Sequence, residues 1–578
     1  MHFYERSVGD RRYRIAAQAV WDPQKQQSFS RQVVLGPADP PPTVDLGATR
    51  TVGTRRIGDV AALVWVAEQL DLVGIIDRIC PSAGGGPRTV SLGEMVLAVA
   101  IQRACAPGAK RDVAGFLNES VPRVSCLPGE AFTGQVFHRL AGMVGEKELE
   151  EIQVALARTA VETFHLATDV LAFDTTNFDT HIASTTPGTL ARRGHAKSKR
   201  SDLRVVGLGA LVSETGHVPL LYRTYPGNGS DQQVLKDCLA GLGSLHDALD
   251  QAEGRKRPAE RTLVRDGGSW GEDLELALEF DAGFYLLTSL SLSHSASERA
   301  LQVAAAYGAM AALTGSLSGV RAARTRGPVG VLDRTLVVVE SEELLKGQKR
   351  GIAAALKKAR VALRALERRK GKKRLSRAVL EKRIDQFLQR EHLSDFVVVT
   401  YGGSRRAASF TWQVDAARRR HLERTRLGRR VLCTDRHDWS TERIVQAFRG
   451  QWHVEELFRR AKKGGVVAWG PSFQRADDSL RLHTFATVIG LMLVSLARLK
   501  LRTEQSAREM MASLAAIETT LVRTKQEGRG RRPTTMLLPE LTVEQARAAK
   551  LFEMERWVPG ILSTSTTRRK KPTNTGKK

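Results

Sequence analysis

Cysteine is scarce in this sequence and is not arranged in pairs. Five cysteines occur among 578 residues, widely spaced and without a C-x-x-C pair. Such a set indicates neither a disulfide framework nor a thiolate zinc site, and it is typical of a reducing compartment. The motifs H-E-x-x-H and G-x-x-x-x-G-K-[ST] are missing as well. Their absence argues against a zinc metalloprotease of that type and against ATP use through a P-loop.

Long hydrophobic segments are also absent. The longest apolar stretch runs from Phe485 to Leu496, whereas a membrane-spanning helix needs about 20 apolar residues. The first residues, Met1–Arg6, include charged side chains and show no apolar core of a secretory signal. We therefore expect a buried core helix at 485–496, no membrane association and a cytoplasmic location.

Acidic residues are too few to balance the basic ones. The chain has 89 Lys and Arg against 62 Asp and Glu, a net charge of +27, and a pI near 10.3. This excess is larger than solubility requires and indicates a polyanionic partner such as nucleic acid. A hydrophobic content of 42% and a charged content of 26% are those of a folded globular protein. At about 150 residues per domain, the length predicts three or four domains.

The hydrophobic period changes along the chain. Residues 1–45 alternate like short strands and end in the prolines Pro40–Pro42, and residues 46–165 follow a helical period with a capping-box spacing at Ser91 and Glu94. Compact helices in so basic a protein favour DNA binding by 46–165. From residue 168 the pattern predicts strands and one helix, and it indicates an α/β sheet. These strands are expected at 169–173, 203–212, 218–225, 261–264 and 284–287, with the helix at 231–242.

A basic segment interrupts the sheet pattern between residues 296 and 425. Strands are expected at Val331–Val339 and Phe410–Val414, and a long helical stretch rich in Lys and Arg at Lys346–Arg390. Its charge run fits either a solvated helix face or a phosphate-binding surface. The sheet pattern returns at Val431–Thr434, and a helix follows that Ser440 can cap. The tail Thr566–Lys578 has a disordered composition.

Phosphodiester chemistry on DNA is commonly carried out with two Mg²⁺ ions, and Mg²⁺ prefers carboxylate oxygens as ligands. Three acidic residues at the ends of predicted strands or on a predicted helix are candidates for these ligands. Asp174 ends the first predicted strand of the sheet, and Asp266 ends another before Gly267 and Gly268. Glu455 is predicted to lie in the middle of a single helix from Phe448 to Lys462. Each residue alone is more typical of a turn or of a helix surface.

Taken together, the three residues resemble the DDE-type transposases of bacterial insertion sequences. The match covers about 166–500. Asp174 stands in Phe173-Asp174-Thr175-Thr176, and Asp266 in Arg265-Asp266-Gly267-Gly268. Glu455 stands in a spacing that matches Tyr-x2-Arg-x3-Glu-x6-Lys, the signature of the insertion-sequence-four-like branch. The runs Gly194–Arg200 and Tyr225–Asp231 are also similar to that family.

The resemblance implies a function and a set of site residues. It implies a transposase that binds the terminal inverted repeats of its element and target DNA. Such an enzyme cuts and joins strands with two Mg²⁺ ions, or with Mn²⁺ in their place. Asp174, Asp266 and Glu455 would be both the catalytic residues and the metal ligands. A homodimer in the synaptic complex and a nucleoid-associated, bacterial cytoplasmic location follow from the same resemblance. Phosphate contacts would come from Gln451, Lys462, Lys463, Lys197, Lys199 and Arg200.

The implied fold is multidomain α+β, with an RNase H-like α/β core interrupted by an insertion domain. The core would comprise 166–295 and 426–505, and the insertion 296–425 would carry the basic helical stretch. A small β-like segment with a Pro-rich linker, 1–45, and a helical domain that binds the DNA ends, 46–165, would precede the core. A helical C-terminal region with a basic tail, 506–578, would follow it.

Two departures from the signature leave an alternative open. Phe448 stands where the family has Tyr, and Gln451 where it has Arg, so one hydroxyl and one cation of a phosphate clamp are missing. A DNA-binding protein that has lost catalysis would fit this change. A remote alternative is a serine hydrolase, because Gly267–Gly271 fits G-x-S-x-G with Ser269 as nucleophile. A small-ester hydrolase would leave the net charge of +27 unexplained.

Overall fold

The computed structural model describes residues 1–22, 25–40, 49–81, 89–255, 259–306, 310–368, 375–389, 392–404, 408–462, 464–524 and 534–564. Within them the protein is a multidomain mixed α/β protein whose chain divides into two compact units. Unit 1 comprises Met1–Leu263, Asp273–Phe284 and Gly450–Lys578, and unit 2 comprises Val264–Glu272 and Tyr285–Arg449. The predicted tail Thr566–Lys578 lies outside the described residues.

Unit 1 begins with an antiparallel sheet of three strands, β1 (His2–Val8), β2 (Arg11–Asp22) and β3 (Gln27–Pro37). The β2 residues Ile15, Ala16 and Ala17 are buried. The ring of Phe3 packs edge-on against Trp557, with 5.0 Å between ring centroids. This sheet therefore packs against the C-terminal part of the same unit.

A strand and a group of helices follow the sheet. They are β4 (Thr49–Arg56), α1 (Gly58–Gln69), α2 (Leu72–Ile79), α3 (Leu92–Cys105), α4 (Val113–Asn118), α5 (Gly134–Ala141) and α6 (Glu146–Phe164). The predicted capping box is present: the Glu94 backbone N–H donates to Ser91 Oγ (3.1 Å) and the Ser91 N–H to Glu94 Oε2 (3.0 Å). The α3 helix ends directly before Ala106, Pro107 and Gly108, as the sequence predicts.

The next elements form the part of unit 1 that carries Asp174. They are β5 (Val170–Thr180), β6 (Arg204–Ser213), β7 (Pro219–Pro226), α7 (Asp231–Asp237), α8 (Leu239–Ala252) and β8 (Thr262–Arg265). Strands β5, β6 and β7 are consecutive antiparallel neighbours. Strand β8 starts beside β5, where the Thr262 backbone N–H donates to the Asp169 carbonyl oxygen (2.8 Å). After Leu263 the chain passes from unit 1 into unit 2.

Unit 2 contains two groups of elements. The first group comprises β9 (Tyr285–Leu290), α10 (Ser295–Ala306), β10 (Ala311–Ala312), β11 (Val320–Val329), β12 (Leu332–Ser341), β15 (Arg429–Thr434) and α15 (Thr441–Arg449). Its strands pair in the order β10-β11-β12-β15-β9, and all neighbours are antiparallel. The short helix α9 (Glu272–Leu276) begins at the last residue before the chain returns to unit 1.

The second group of elements in unit 2 includes a long helix and shares one apolar core. Its elements are α11 (Glu342–Glu367), α12 (Arg377–Leu388), α13 (Leu393–Phe396), β13 (Val397–Gly403), β14 (Ala408–Val414) and α14 (Ala416–Thr425). Strands β13 and β14 form an antiparallel pair. The buried side chains of Leu356, Leu363, Ile384 and Phe396 belong to one cluster. The long helical stretch predicted over 346–390 is thus two helices.

The rest of unit 1 comprises α16 (Trp452–Ala461), α17 (Asp477–Leu501), α18 (Ala507–Ala515), β16 (Glu518–Thr524), β17 (Thr534–Leu537) and α19 (Val543–Leu551). The C-terminal region, expected to be helical, contains two strands as well as helices. Strand β16 pairs with β17 and also with β4, antiparallel to both.

The apolar stretch singled out in the sequence lies in α17. Among the described residues this is the one helix long and apolar enough to span a membrane, and 94% of its apolar window is buried inside the protein. It packs against α1, α3, α5 and α18. The prediction of a buried core helix is confirmed.

All five cysteines are free thiols.

Candidate active site

Asp174 lies inside a strand, which corrects the prediction that it ends one. Strand β5 continues to Thr180, and Asp174 stands opposite Ala210 of β6. The side chain is half-buried, and so are those of Asn177 and Asp179 further along β5. The second half of this strand was not predicted because most of its residues after Phe173 are polar and do not show apolar periodicity.

Glu455 does not lie in the middle of one long helix, as the sequence predicted. Helix α15 ends at Arg449 and α16 begins at Trp452, with Gly450 and Gln451 in a turn between them. Glycine disfavours a helix interior by about 1 kcal/mol relative to alanine. Glu455 is therefore an exposed residue in the first turn of α16, where the helix dipole stabilises a negative charge.

The break also separates the residues of the predicted signature. Phe448 belongs to α15 of unit 2, where its ring is buried and the Arg430 guanidinium lies 5.1 Å from the ring centroid. Gln451 precedes α16, and Lys462 directly follows it. The four-turn helical face predicted for these residues is thus wrong.

Lys462 and Lys197 lie in the electrostatic environment of Asp174. Burial lowers the pKa of Lys462, and the positive charge of Lys197 lowers it further, while the negative charges of Asp174 and Asp179 act in the opposite direction. Helix α16 packs against β5 and β6. Unit 1 therefore brings together two carboxylates and two lysines from sequence segments that are far apart.

The chain segment at Lys197 is fastened along β5. The Lys197 backbone N–H donates to Asn177 Oδ1 (2.9 Å), and Asn177 Nδ2 donates to the His195 carbonyl oxygen (2.9 Å). The Ser198 hydroxyl donates to Asp179 Oδ1 (2.7 Å). The Lys197 ammonium group donates to the Thr175 carbonyl oxygen. These bonds fix the position of Lys197 beside the strand that carries Asp174.

A second carboxylate network, which sequence analysis missed, supports the same strand. The Thr175 hydroxyl donates to Asp231 Oδ1 (2.7 Å) at the start of α7. Burial raises the pKa of Tyr225, and the charges of Asp231 and Asp174 raise it further. The run Tyr225–Asp231 is similar to a motif of the transposase family, but nothing in its pattern indicates the bond to Thr175.

Asp266 belongs to unit 2 and directly follows β8. Its Oδ1 atom accepts hydrogen bonds from the Gly267 backbone N–H (2.8 Å) and from the Ser289 hydroxyl on β9 (3.1 Å). A Cβ atom at Gly267 would lie 2.1 Å from the Ser289 carbonyl oxygen, so only glycine allows this close approach. The carboxylate itself is exposed.

The remaining predicted phosphate-binding residues differ in availability. Gln451 is half-buried, and its Nε2 atom is buried without a hydrogen-bond partner in the described part of the chain. Arg200 forms two hydrogen bonds to Asp202, at 2.7 and 2.6 Å, which a phosphate would have to replace. Lys199 is exposed at a left-handed backbone position, φ 64°. Lys463 and the side chain of Ser269 lie outside the described residues.

The donor chemistry of the acidic residues suits a hard divalent cation. Carboxylate oxygens are the ligands that Mg²⁺ prefers, and Asp174, Asp266 and Glu455 supply them. A group of three or more His, Cys, Asp or Glu side chains placed to hold a metal ion does not occur among the described residues. The assignment of Mg²⁺ to these carboxylates stays a prediction.

Comparison with known proteins shows a distant similarity to a transposase structure. No protein-family model and no curated protein matches the sequence. Among solved structures, the chain is similar to a piggyBac transposase in a synaptic complex with hairpin DNA, at 10% identity and a TM-score of 0.38, over 80% of this chain and 81% of that chain. At this TM-score the similarity does not establish a shared fold, and it assigns no role to any residue.

Proposed function

We propose that the protein is a transposase of the DDE type, which binds the terminal inverted repeats of a bacterial insertion sequence and transfers DNA strands. The observation that carries the proposal is the convergence of Asp174, Lys197 and Lys462 in unit 1, with Glu455 on the helix that packs against the strand of Asp174. Carboxylates for metal ions and lysines for phosphates are the groups that phosphodiester transfer requires. The net charge of +27 suits a DNA substrate.

The resemblance to DDE transposases adds Asp266 to this proposal as the second carboxylate of the pattern. Strand β8 starts beside β5, since the Thr262 N–H donates to the Asp169 carbonyl, and Asp174 and Asp266 follow those residues at nearly equal distances along the sequence. We propose that β5 and β8 run parallel, as in an RNase H-like core with an insertion between Asp266 and Glu455.

Each residue has a defined task in the proposed reaction. Asp174, Asp266 and Glu455 would hold two Mg²⁺ or Mn²⁺ ions, and these would activate the attacking oxygen and stabilise the leaving oxygen. Lys197, Lys462 and Lys463 would bind phosphates of the DNA backbone, and Lys199 and Arg200 would extend this surface. The Nε2 group of Gln451, which has no hydrogen-bond partner among the residues that the structure describes, is a donor of the kind that a phosphate oxygen needs.

The proposed setting follows from the reaction. Two element ends have to be cut together, so we propose a homodimer in the synaptic complex, acting on nucleoid DNA in a bacterial cytoplasm. The expected partners are the terminal repeats and the target duplex. Affinity should fall steeply with salt, because Lys and Arg displace counterions from phosphates.

Cleavage of a supercoiled plasmid that carries the native flanking DNA of the gene tests the proposal. Wild type is compared with Asp174→Ala, Asp266→Ala and Glu455→Ala, in Mg²⁺ and in EDTA. We expect metal-dependent cuts at the element ends and a loss of at least about a hundredfold in each variant, since metal stabilisation amounts to several kcal/mol. Asp237→Ala, which removes an exposed carboxylate of α7, is the matched control and should cut normally.

The opposite outcome identifies the alternative. A wild type that binds the element ends in the presence of Mg²⁺ but never cuts them is a DNA-binding protein without catalysis. In that case Phe448→Tyr and Gln451→Arg are the first changes to test for restored cleavage. Cutting that persists in all three carboxylate variants would refute the DDE assignment.

A further inference from the structure

Helix α11 of unit 2 carries a row of basic side chains along one side. From Leu344 to Leu366 the helix has seven Lys or Arg residues and no Asp or Glu. At 3.6 residues per turn, six exposed cations from α11 and its C-cap lie within about 40° of one line along the helix. They are Lys346, Arg350, Lys357, Arg360, Arg364 and Arg368. We call these six residues the basic row.

The other side of α11 is fixed in the protein. Ile352, Leu356 and Leu363 are at most 6% exposed, and they pack in one cluster with α12, α13 and the β13–β14 pair. The basic row is therefore held on a rigid element. This arrangement also argues against a membrane surface as the partner, because a helix that lies in a bilayer interface needs its apolar face free for lipid.

The charge pattern differs from that of an ordinary solvated helix. Such helices mix acidic and basic residues at i,i+4 spacing. In the basic row only Lys346, at the N-terminal end, has such a partner in the described structure, Glu342 at 3.4 Å. Like charges repeated along one line destabilise an isolated helix. A polyanionic partner relieves that repulsion.

We infer that the basic row binds the phosphate backbone of duplex DNA, in addition to the phosphate contacts proposed for Lys197 and Lys462 of unit 1. Lys346 and Arg368 lie 22 steps apart along the helix, which corresponds to about 33 Å, close to one turn of a B-form duplex at about 34 Å. Side chains that contact only phosphates bind without reading sequence. The inference rests on the proposed function for the choice of duplex DNA, and it adds a sequence-independent contact that suits target or flanking DNA.

Binding without catalysis tests this inference. The full-length protein with Asp174→Ala is titrated against a labelled duplex of random sequence in EDTA, at a series of NaCl concentrations. The row variant is Lys357→Gln, Arg360→Gln and Arg364→Gln. The control variant, Lys358→Gln, Lys382→Gln and Arg383→Gln, removes the same charge from exposed positions outside the row.

The row variant should lose affinity between tenfold and a hundredfold, and the slope of log K against log salt should fall by about two to three, since each phosphate contact contributes about 0.9. The control variant should change far less. A third variant, with Lys357→Arg, Arg360→Lys and Arg364→Lys, keeps the charge and should bind like wild type, which separates lost charge from misfolding.

Two results would overturn the inference. One is an equal loss in the row and control variants, which would show that only net charge matters. The other is unchanged duplex binding together with lost binding to phosphatidylserine vesicles, which would indicate a membrane surface. The assay needs no metal and no cleavage. An inactive wild type would thus count against the proposed function alone, and normal cleavage with an unaffected row variant against the basic row alone.

Discussion

The buried lysine Lys110 should make the stability of unit 1 depend on pH in the alkaline range. Its side chain is 6% exposed, and its Nζ atom donates to Nδ1 of the fully buried His483 (2.9 Å), whose Nε2 donates to the Trp469 carbonyl oxygen (2.8 Å). Burial lowers the pKa of Lys110 from 10.5 to about 7, and the nearby Arg103 charge adds to this effect.

The sign of the effect follows from proton binding. Above pH 7 the unfolded chain keeps the Lys110 proton up to its ordinary pKa of 10.5, whereas the folded protein releases it. The free energy of unfolding of wild type therefore rises with pH by up to about 1.4 kcal/mol per pH unit. Between pH 7 and pH 9 the rise from this group should be about 2 kcal/mol.

The change Lys110→Met isolates this contribution. It removes the titrating group, at the cost of one hydrogen bond to His483 worth about 1 kcal/mol at every pH. We expect the variant to lose about 2 kcal/mol relative to wild type as the pH rises from 7 to 9. Guanidinium unfolding followed by tryptophan fluorescence measures the difference at each pH. Burial also keeps the pKa of His483 well below its usual range, so that group does not titrate in this window.

Lys236→Met, which alters an exposed lysine of α7 in the same unit, is the control and should show a difference from wild type that stays constant. A constant difference for Lys110→Met as well would refute the reasoning, because it would mean that the folded protein keeps the Lys110 proton.

Two further predictions concern buried charges around α3. Burial raises the pKa of Asp77 to about 6, so above that pH the charged carboxylate destabilises the folded state. Asp77→Asn removes this charge and can still accept the hydrogen bond from the Gly93 N–H (2.8 Å). The variant should therefore raise the free energy of unfolding at pH 7 by about 1 to 3 kcal/mol. That gain should vanish near pH 4, and a gain that persists there would contradict this cause. Arg31→Met should lower the free energy of unfolding, measured with guanidinium, by about 3 to 5 kcal/mol. The reason is that the Glu94 carboxylate, which is 1% exposed and lies 2.7 Å from Arg31 Nη1, loses its cation. Adding Glu94→Gln should recover part of the loss, and a double variant no more stable than the single one would count against a charge-pair explanation.

Local sequence signals predicted much of the fold. The capping box at Ser91 and Glu94 marked the start of α3, and apolar runs marked β5, β6, β7, β8 and β9 to within a few residues, except for the end of β5. Each of these signals depends on residues that are neighbours in the chain. The prediction of one helix from Phe448 to Lys462 was wrong. The helical spacing of the side chains continues across Gly450, but the helix itself ends at Arg449 and a new one begins at Trp452.

The parts of the candidate site that sequence reasoning missed depend on distant pairings. Asn177 and Asp179 are residue types typical of loops, and the sequence does not show that Lys197 and Ser198 form hydrogen bonds to them in the folded protein. Arg265 is another case: it is fully buried in β8, and its burial lowers its pKa to about 10, whereas a basic residue beside Asp266 would be expected at the surface. Periodicity reports which side of an element is buried, but it carries no information on which distant segment covers it.

The pairing of β4 with β16 has a consequence for synthesis of the chain. Strand β4 is complete at Arg56, while β16 begins only at Glu518. At a translation rate of about 5–20 residues per second, β4 waits on the order of 25 to 90 seconds before its partner emerges from the ribosome. During that time its edge is open to other strands. The yield of correctly folded protein should therefore depend on chaperones that bind nascent chains and on the rate of elongation, more than it would for a chain whose strands pair with near neighbours.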